Sequence, residues 1–312
     1  MVLRVVSYNV RYFGHGTRGL ASTAKSMGRI AQALAHLTPL ADVICLQEVE
    51  TTSLRSNLAH PAPDGETQLE RFMQMLHRSL LQAGRRDTYE AYYFPAHTYR
   101  FSVTPIYTTG LAVVARSGFN VSHHNAGTPH DITYRHIHPV KRLKQTRICA
   151  HLRVEHASGV DLDVFNTHLS LPTTLSREFW FEPRRMGWGP NQIEEAKNLA
   201  KFVATERKSE RFVVCGDFNA LPGSPVYRTL IASGLSDPFA RHHRFDEDAL
   251  VRWPTAGFMN MRMHLDHVFS GGALRWTDFE GTHRFGQRNG LFRGLSDHVP
   301  IVGSFTLDAG GG

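Results

Sequence analysis

The chain has 312 residues, 41% of them hydrophobic and 20% charged; it can bury a large core and is too apolar for a disordered polymer. A formal net charge of +7 and a pI of about 9.5 suit a polyanionic or phosphate-bearing partner, because net charge governs non-specific attraction and not fold. The three cysteines lie inside apolar runs at no metal-type spacing, which argues against a disulfide framework or a zinc module.

In chain order, Val2 to Val10 reads as a first strand, with no charged and apolar leader ahead of it. With reduced thiols and no apolar stretch long enough to span a bilayer, a cytoplasmic protein is expected. Ser22 is placed to cap a helix in which Met27, Ile30, Leu34 and Leu37 recur at helical spacing. Asp42 to Val49 reads as a second strand. Leu69, Phe72, Met73, Leu76 and Leu80 mark a second helix, ended by Gly84 as a C′ residue. Glu90 to Phe94 and Thr109 to Arg116 read as strands, and Thr146 to His156 with Val160 to Leu169 as a hairpin around Ser158-Gly159. Asn191 with Glu194 reads as a capping box for a helix through Ile193, Leu199, Phe202 and Val203. The apolar run Arg211 to Cys215 follows as a strand. Pro225 opens a helix continued by Val226, Leu230 and Ile231, and Leu265 to Phe269 and Val299 to Thr306 are the last strands.

Strands outnumber helices and several are joined by short turns. The fold class is therefore α/β of the α+β kind: mixed sheets with helices outside, not a doubly wound parallel sheet. One domain is expected over residues 1–307, with a flexible tail at 308–312. Three long loops, Arg11 to Ala21, Phe94 to Thr109 with Ser122 to Gln145, and Ser170 to Pro190, are candidates for function. Most of the 19 histidines fall in Arg/His-rich loops and read as solvated.

Polar residues recur where apolar strands end. Asp217 and Asn219, two apart after a buried strand, share a side and can hold and orient one water. Glu48 follows four apolar residues, a position where a carboxylate is costly unless paired or metal-bound. It reads as a ligand for a hard cation such as Mg²⁺, which needs only one or two carboxylates beside waters and substrate phosphate; Mn²⁺ is the natural substitute. Asn9 ends the first strand. Asn166 and His168 share a face at the end of another. Asp266 within an apolar strand and His298 before the last one form a candidate dyad, since a buried carboxylate fixes a histidine tautomer and stabilises its protonated form. Asp297 is left to face the metal or its water, and His267, on the opposite face from Asp266, is assigned to structure. Asn166 and Arg147 are expected to contact the substrate. Zinc is disfavoured by the absence of tight histidine spacing.

In this order, Ser7-Tyr8-Asn9, Leu46-Gln47-Glu48, Asn166-Thr167-His168-Leu169, Gly216-Asp217-Phe218-Asn219, Leu265-Asp266-His267 and Ser296-Asp297-His298 resemble the signature series of the endonuclease/exonuclease/phosphatase superfamily. That group includes DNase I-like nucleases, abasic-site endonucleases, deadenylases, neutral sphingomyelinases and inositol phosphatases. Any one of these short sequences is weak, but six in order across residues 3–306 are specific. The resemblance implies a four-layer sandwich, two packed mixed sheets flanked by helices, with the site at one rim. It also implies roles: Asn9 and Glu48 at the metal, with Asp297 close by; Asp217 as base and Asn219 orienting the water; His168 and His298 on the phosphoryl oxygens, with Asp266 orienting His298.

The expected activity is Mg²⁺-dependent hydrolysis of a phosphodiester by in-line attack of water, on nucleic acid. The alternative is a lipid, in the manner of sphingomyelinases, or a small phosphorylated substrate such as an inositol phosphate. A binding module that merely keeps the fold is disfavoured by the full set of Glu48, Asp217, Asn219, Asp266 and His298. The basic stretch from Ser122 to Gln145 could track a nucleic-acid backbone. Phe179, Trp180, Phe181, Arg184, Arg185 and Trp188 could stack bases or enter a lipid interface. A membrane surface is the less favoured partner, and no protein partner is implied.

Overall fold

Strands β1 (Val2–Asn9) and β2 (Val43–Val49) are almost entirely buried, as expected of strands covered on both faces. Alternation sorts their side chains. Val6, Tyr8, Ile44 and Leu46 join an outer core with two helices, α1 (Ala24–Ala35) and α2 (Gln68–Gln82). Leu3, Val5, Val43 and Cys45 face a second sheet. The computed structural model describes residues 1–14, 23–50, 66–101, 104–134, 146–157, 159–172, 185–258, 261–280 and 290–307, with backbone alone at 97–101, 104–108 and 258.

The first sheet has the order β13 (Leu274–Phe279), β14 (Ile301–Leu307), β1, β2, β4 (Thr104–Arg116), β3 (Tyr89–Phe101). The second runs β12 (Asp266–Ser270), β9 (Phe212–Asp217), β8 (Asp161–His168), β7 (Ile148–His156), β5 (Phe119–His124), and the two-residue β6 (His130–Asp131) also pairs with β7. Each sheet is mixed: β1 and β2 are parallel in one, β8 and β9 in the other, and the remaining pairs are antiparallel. Helices α3 (Pro190–Glu206) and α4 (Pro225–Ala232) cover the outer face of the second sheet through Ala196, Leu199, Val203, Val226 and Leu230. The result is the expected sandwich of two sheets between helical layers. Two short helices, α5 (Pro238–His243) and α6 (Glu247–Val251), and a ribbon of β10 (Ala256–Phe258) with β11 (Met261–Met263) complete the described residues. Among those residues no helix is long and apolar enough to cross a membrane.

Several local expectations change. The stretch from Phe94 to Thr109 is no loop: β3 and β4 pair from Tyr89↔Arg116 out to Phe101↔Thr104. Pro95 and Pro105 conceal the hairpin in the sequence, yet the chain accommodates them beside register shifts, where a missing N–H is tolerated. Thr23 caps α1 by accepting from Ser26 N–H at 3.1 Å, while Ser22 lies outside the described residues. Helix α3 starts at Pro190, and the Gln192 carboxamide, not Glu194, closes its first turn by accepting from Gly189 N–H at 3.2 Å. Asn191 is therefore inside the helix. The histidines are not all solvated: His151, His264 and His267 are buried. Cys45, Cys149 and Cys215 are free and buried, as expected.

Candidate active site

The residues pointing between the sheets change character toward one rim. Cys45 and Cys215 are wholly buried there. Ser7 and Asn166 are their register partners, and with Gln47, one step outward on β2, they make a polar layer. Gln47 Nε2 donates to Asn166 Oδ1 at 2.8 Å and to Ser7 Oγ at 3.3 Å. Asn166 Nδ2 donates to the carbonyls of Leu46 at 3.0 Å and Ala112 at 3.1 Å. This layer ties the sheets together through Asn166, whose buried carboxamide has its oxygen and both N–H groups paired. It also corrects the expectation for Asn166. Its carboxamide is fully buried and spends both N–H groups on the opposite sheet, so it does not reach the open rim.

Beyond that layer the four strand ends meet. Asn9 and Glu48 close the parallel pair of the first sheet, and His168 stands opposite Asp217 at the end of the parallel pair of the second. Asp266 begins β12 directly across from Asp217, and His298 precedes β14, which runs antiparallel to β1. Strands of both directions thus deliver polar side chains to one edge.

The two sheets place these groups differently. In the second, regular register suffices, with one demand on packing: a Cβ at Gly216 would collide with the Thr167 carbonyl oxygen, so only glycine lets β9 lie this close to β8. In the first, the backbone is bent to the task. Glu48 is the extra residue of a bulge between Gln47↔Leu111 and Val49↔Gly110, and it sits at φ 55°. Bulges re-aim side chains in this way beside functional sites. After β1, Arg11, Tyr12 and Phe13 form a left-handed turn at φ 45°, 54° and 52°, a conformation that costs non-glycine residues about 1–2 kcal/mol each. Phe13 offsets part of that by full burial against Phe72, ring centroids 4.8 Å apart. The turn also lets Arg11 N–H donate to Asn9 Oδ1 at 3.0 Å and its guanidinium meet Asp297 Oδ2 at 2.8 Å.

The side chains form one connected array. Asn9 Nδ2 donates to Glu48 Oε1 at 3.1 Å and to Asp217 Oδ2 at 3.0 Å. Asp217 Oδ1 accepts from Asn219 N–H at 3.0 Å; Asn219 adopts φ 47° to make that bond, and asparagine tolerates this region. Asn219 Nδ2 donates to the Leu169 carbonyl at 2.9 Å and lies 3.3 Å from His168 Nε2. His298 Nδ1 is 2.8 Å from Asp266 Oδ2 and His298 Nε2 is 3.8 Å from Asp217 Oδ2. His168 Nε2 is 3.5 Å from the same oxygen.

Burial and like charge set the protonation. Burial, with the neighbouring carboxylates of Asp266 and Glu48, pushes the Asp217 carboxyl up to about 7 against the pull of His298 and the Asn219 N–H. For His298 burial opposes protonation, but Asp266, Asp217 and Asp297 together outweigh it and lift the imidazole well above its usual range. His168 goes the other way: burial, then the charges of Arg147 and His298, hold it well below that range. The two histidines are therefore not two imidazoliums. One is a cation fixed by a carboxylate and the other a neutral ring.

Of the remaining expectations, Arg147 is largely buried beside His168, the two lining a small cavity with Thr109, Leu111 and Ile148; its Nε donates to Ser170 Oγ at 3.3 Å. His267 points away from the rim, with Nε2 2.8 Å from the Ala220 carbonyl. Residues 135–145 of the basic stretch, and Phe179, Trp180, Phe181 and Arg184, lie outside the described residues. His123 and His124, also from the basic stretch, are on β5, and His130 is on β6. Arg11 and Ser296, whose Oγ donates to the Asn9 carbonyl at 2.8 Å, were given no role from the sequence. Ser296 is adjacent to Asp297 in the sequence, but nothing in Arg-Tyr-Phe signals a left-handed turn.

The rim suits a divalent cation. Glu48, His168 and Asp217 each offer a donor within 4.8 Å of the others, and so do Asp217, Asp266 and His298. The Glu48 and Asp217 carboxylates converge on the amide edge of Asn9, which supplies the positive charge density that their mutual repulsion requires. An oxygen-rich donor set of this kind matches a hard cation.

The profile of the Endonuclease/Exonuclease/phosphatase family matches residues 6–298. No curated protein sequence matches the chain significantly. Among solved structures, it is similar to an endonuclease/exonuclease/phosphatase family protein from Leptotrichia buccalis C-1013-b, at 16% identity over 98% of this chain and 99% of that one, with a TM-score of 0.65. It is also similar to the human Nocturnin catalytic domain with bound sulfate, at 19% identity over 98% and 94% with a TM-score of 0.61. ANGEL2, a 2′,3′-cyclic phosphatase in complex with adenosine-2′,3′-vanadate, gives 18% identity over 99% and 96% and a TM-score of 0.62. At such identities the likeness to these structures is one of fold.

Proposed function

This chain belongs to the Endonuclease/Exonuclease/phosphatase family, whose members are phosphoric ester hydrolases, and from that premise we propose that it is a Mg²⁺-dependent phosphodiesterase acting on nucleic acid. The observation that carries the mechanism is the unbroken array from Glu48 through Asn9 and Asp217 to Asn219, with the Asp266–His298 pair facing it. Asp217 is the base. Both its oxygens are fixed, and a carboxyl raised toward neutrality is matched to taking a proton from water near physiological pH. Asn219, its amide group tied to the Leu169 carbonyl, orients that water through Oδ1. His298, kept cationic by Asp266, donates to a phosphoryl oxygen as charge grows there in the transition state. His168, neutral, supports the same oxygens by hydrogen bonding alone. Arg147, next to His168, binds an anionic substrate group.

Glu48, Asn9 and Asp297 would hold the cation, Mg²⁺ with Mn²⁺ as substitute, which when bound neutralises phosphoryl charge and stabilises the leaving oxygen. The Arg11–Asp297 ion pair positions the Asp297 carboxylate for that role. The positive net charge and the nucleotide ligand of ANGEL2 support a nucleotide phosphodiester as substrate.

The test is a hydrolysis panel with Mg²⁺: single- and double-stranded DNA, RNA, sphingomyelin liposomes, a generic phosphodiester and a phosphomonoester, with wild type and Asp217→Ala in parallel. Cleavage of nucleic acid by wild type, lost with EDTA and restored by Mg²⁺ or Mn²⁺, is expected. Turnover confined to liposomes or small phosphoesters overturns the nucleic-acid assignment. Restoration by Zn²⁺ alone overturns the oxygen-ligand reading of the metal.

A further inference from the structure

His151 is a histidine that the chemistry at the rim does not use. It lies on β7 and faces outward toward α3, its ring stacked on Phe165 with centroids 4.4 Å apart and edge-on to Phe202 at 6.3 Å. It is wholly buried. Its Nε2 is 2.8 Å from Asp163 Oδ1, so Nε2–H donates to the carboxylate and Nδ1 carries the ring's lone pair. Among the described residues that buried Nδ1 has no hydrogen-bond partner, and an unfilled buried acceptor is unfavourable. His123, on the edge strand β5, lies against the ring with centroids 5.0 Å apart. Glu206 is the last residue of α3. One donor atom from each of His123, His151 and Glu206 lies within 4.8 Å of the other two.

We propose that His123, His151 and Glu206 form a second metal site, on the outer face of the second sheet, that takes a borderline transition metal of the Zn²⁺ type. Two imidazoles and a carboxylate with a fourth position open to water are a zinc donor set. The Asp163–His151 hydrogen bond is the outer-shell contact that fixes the tautomer and ring direction of a metal-bound histidine. A neighbouring cation is already committed: Arg153 Nε pairs with Asp163 at 2.8 Å and its Nη2 donates to the Glu206 carbonyl at 2.9 Å. A tetrahedral ion with ligands at about 2 Å brings its donors to about 3.3 Å from one another. The exposed His123 and the half-buried Glu206 swing onto the ion while the clamped His151 stays in place. The site is distinct from the rim, because Phe165, which packs on His151, points to the opposite face of β8 from Asn166 and His168. A bound ion would clip the edge strand β5, largely exposed beyond its pairing with β7, to its neighbour and to the end of α3. The metal stabilises the fold by mass action.

The experiment strips the full chain with chelator, returns it to buffer with millimolar Mg²⁺ and titrates Zn²⁺ by calorimetry, with Co²⁺ absorption as a probe of coordination. Wild type is compared with His123→Ala, Glu206→Gln and the rim variant Glu48→Gln. The expected result is one Zn²⁺ retained by Glu48→Gln, with a rise in Tm and tetrahedral Co²⁺ bands. His123→Ala and Glu206→Gln should each lose at least tenfold to 100-fold in affinity while keeping wild-type circular dichroism and Mg²⁺-supported hydrolysis. Equal Zn²⁺ affinity in His123→Ala and wild type overturns the proposal, as does loss of all Zn²⁺ binding in Glu48→Gln.

Discussion

The two parallel strand pairs solve the same problem by different means. At the end of β8 and β9, side chains reach the rim because two regular strands stay in register, with His168 opposite Asp217. At the end of β1 and β2, Asn9 and Glu48 reach it because the backbone departs from regular strand: a bulge at Glu48 and a left-handed turn after Val10. The second sheet thus holds the residue proposed as base and the neutral histidine on regular strand. The first holds the residues assigned to the cation on chain that is strained and pinned by Phe13 and Arg11. A base needs a fixed line of attack, whereas ligands to an ion are pulled into place by the ion itself.

The largest effect should come from the second-sheet side. Asp217→Ala should lower kcat by about 10³–10⁴-fold in steady-state hydrolysis with Mg²⁺, general-base loss compounded by loss of the anchor for Asn9 and Asn219. Near-wild-type turnover would break the division of labour. Next, His298→Ala should cost about 10²–10³-fold. Because Asp266 acts through His298, the double variant His298→Ala/Asp266→Ala should be no slower than His298→Ala alone; additive losses would show that Asp266 serves something else.

The second-sheet side also carries a buried neutral histidine, His264, next to β12. Burial, with the charge of His267, lowers it to about 4 from 6.5. The folded state therefore resists a proton that the unfolded chain accepts from pH 6.5 downward. The stability is fully present above pH 6.5 and is lost as pH falls toward 4. The loss should reach about 2–3 kcal/mol between pH 7 and pH 4.5 by urea denaturation. His264→Gln should flatten that slope, and an unchanged slope would remove His264 as its source.

Two smaller effects separate stiffness from strain. Gly216→Ala should destabilise by about 2 kcal/mol, because the added methyl meets backbone and not a movable side chain. Glu48→Gly should do the reverse, raising stability by about 1 kcal/mol through relief of its positive φ while abolishing Mg²⁺-dependent activity. If both substitutions destabilise, the strain assigned to the first sheet is not there.

Much of this was legible in the chain. Apolar runs marked the central strands of both sheets, though not the edge strands β5 and β13, and polar residues next to those runs marked the strand ends that reach the rim. Asn9, Glu48, His168, Asp217 and Asn219 were picked where apolar strands end, Asp266 and His298 within or just ahead of one, and the structure gathers all seven at one edge. Asn166 was misread by the same rule. It ends a strand on the His168 face, but alternation gives direction and not depth, and two residues earlier along β8 means one layer deeper between the sheets. Arg11 was missed because its left-handed backbone has no local signature and is held by tertiary contacts, among them those with Asp297 and Asn9.

By itself the sequence determined the central strands and the longer helices, which way their side chains face, and the chemical types available for catalysis. These are short-range properties, set by side-chain size, branching and polarity over a few residues. Only the tertiary structure decided which strand ends meet, so that Asn9 touches Asp217 across 208 residues of chain. It alone decided that His298 is charged and His168 neutral, and that His151 faces His123 and Glu206. Those outcomes depend on burial and on the charges of distant residues, and neither exists until the sheets have packed.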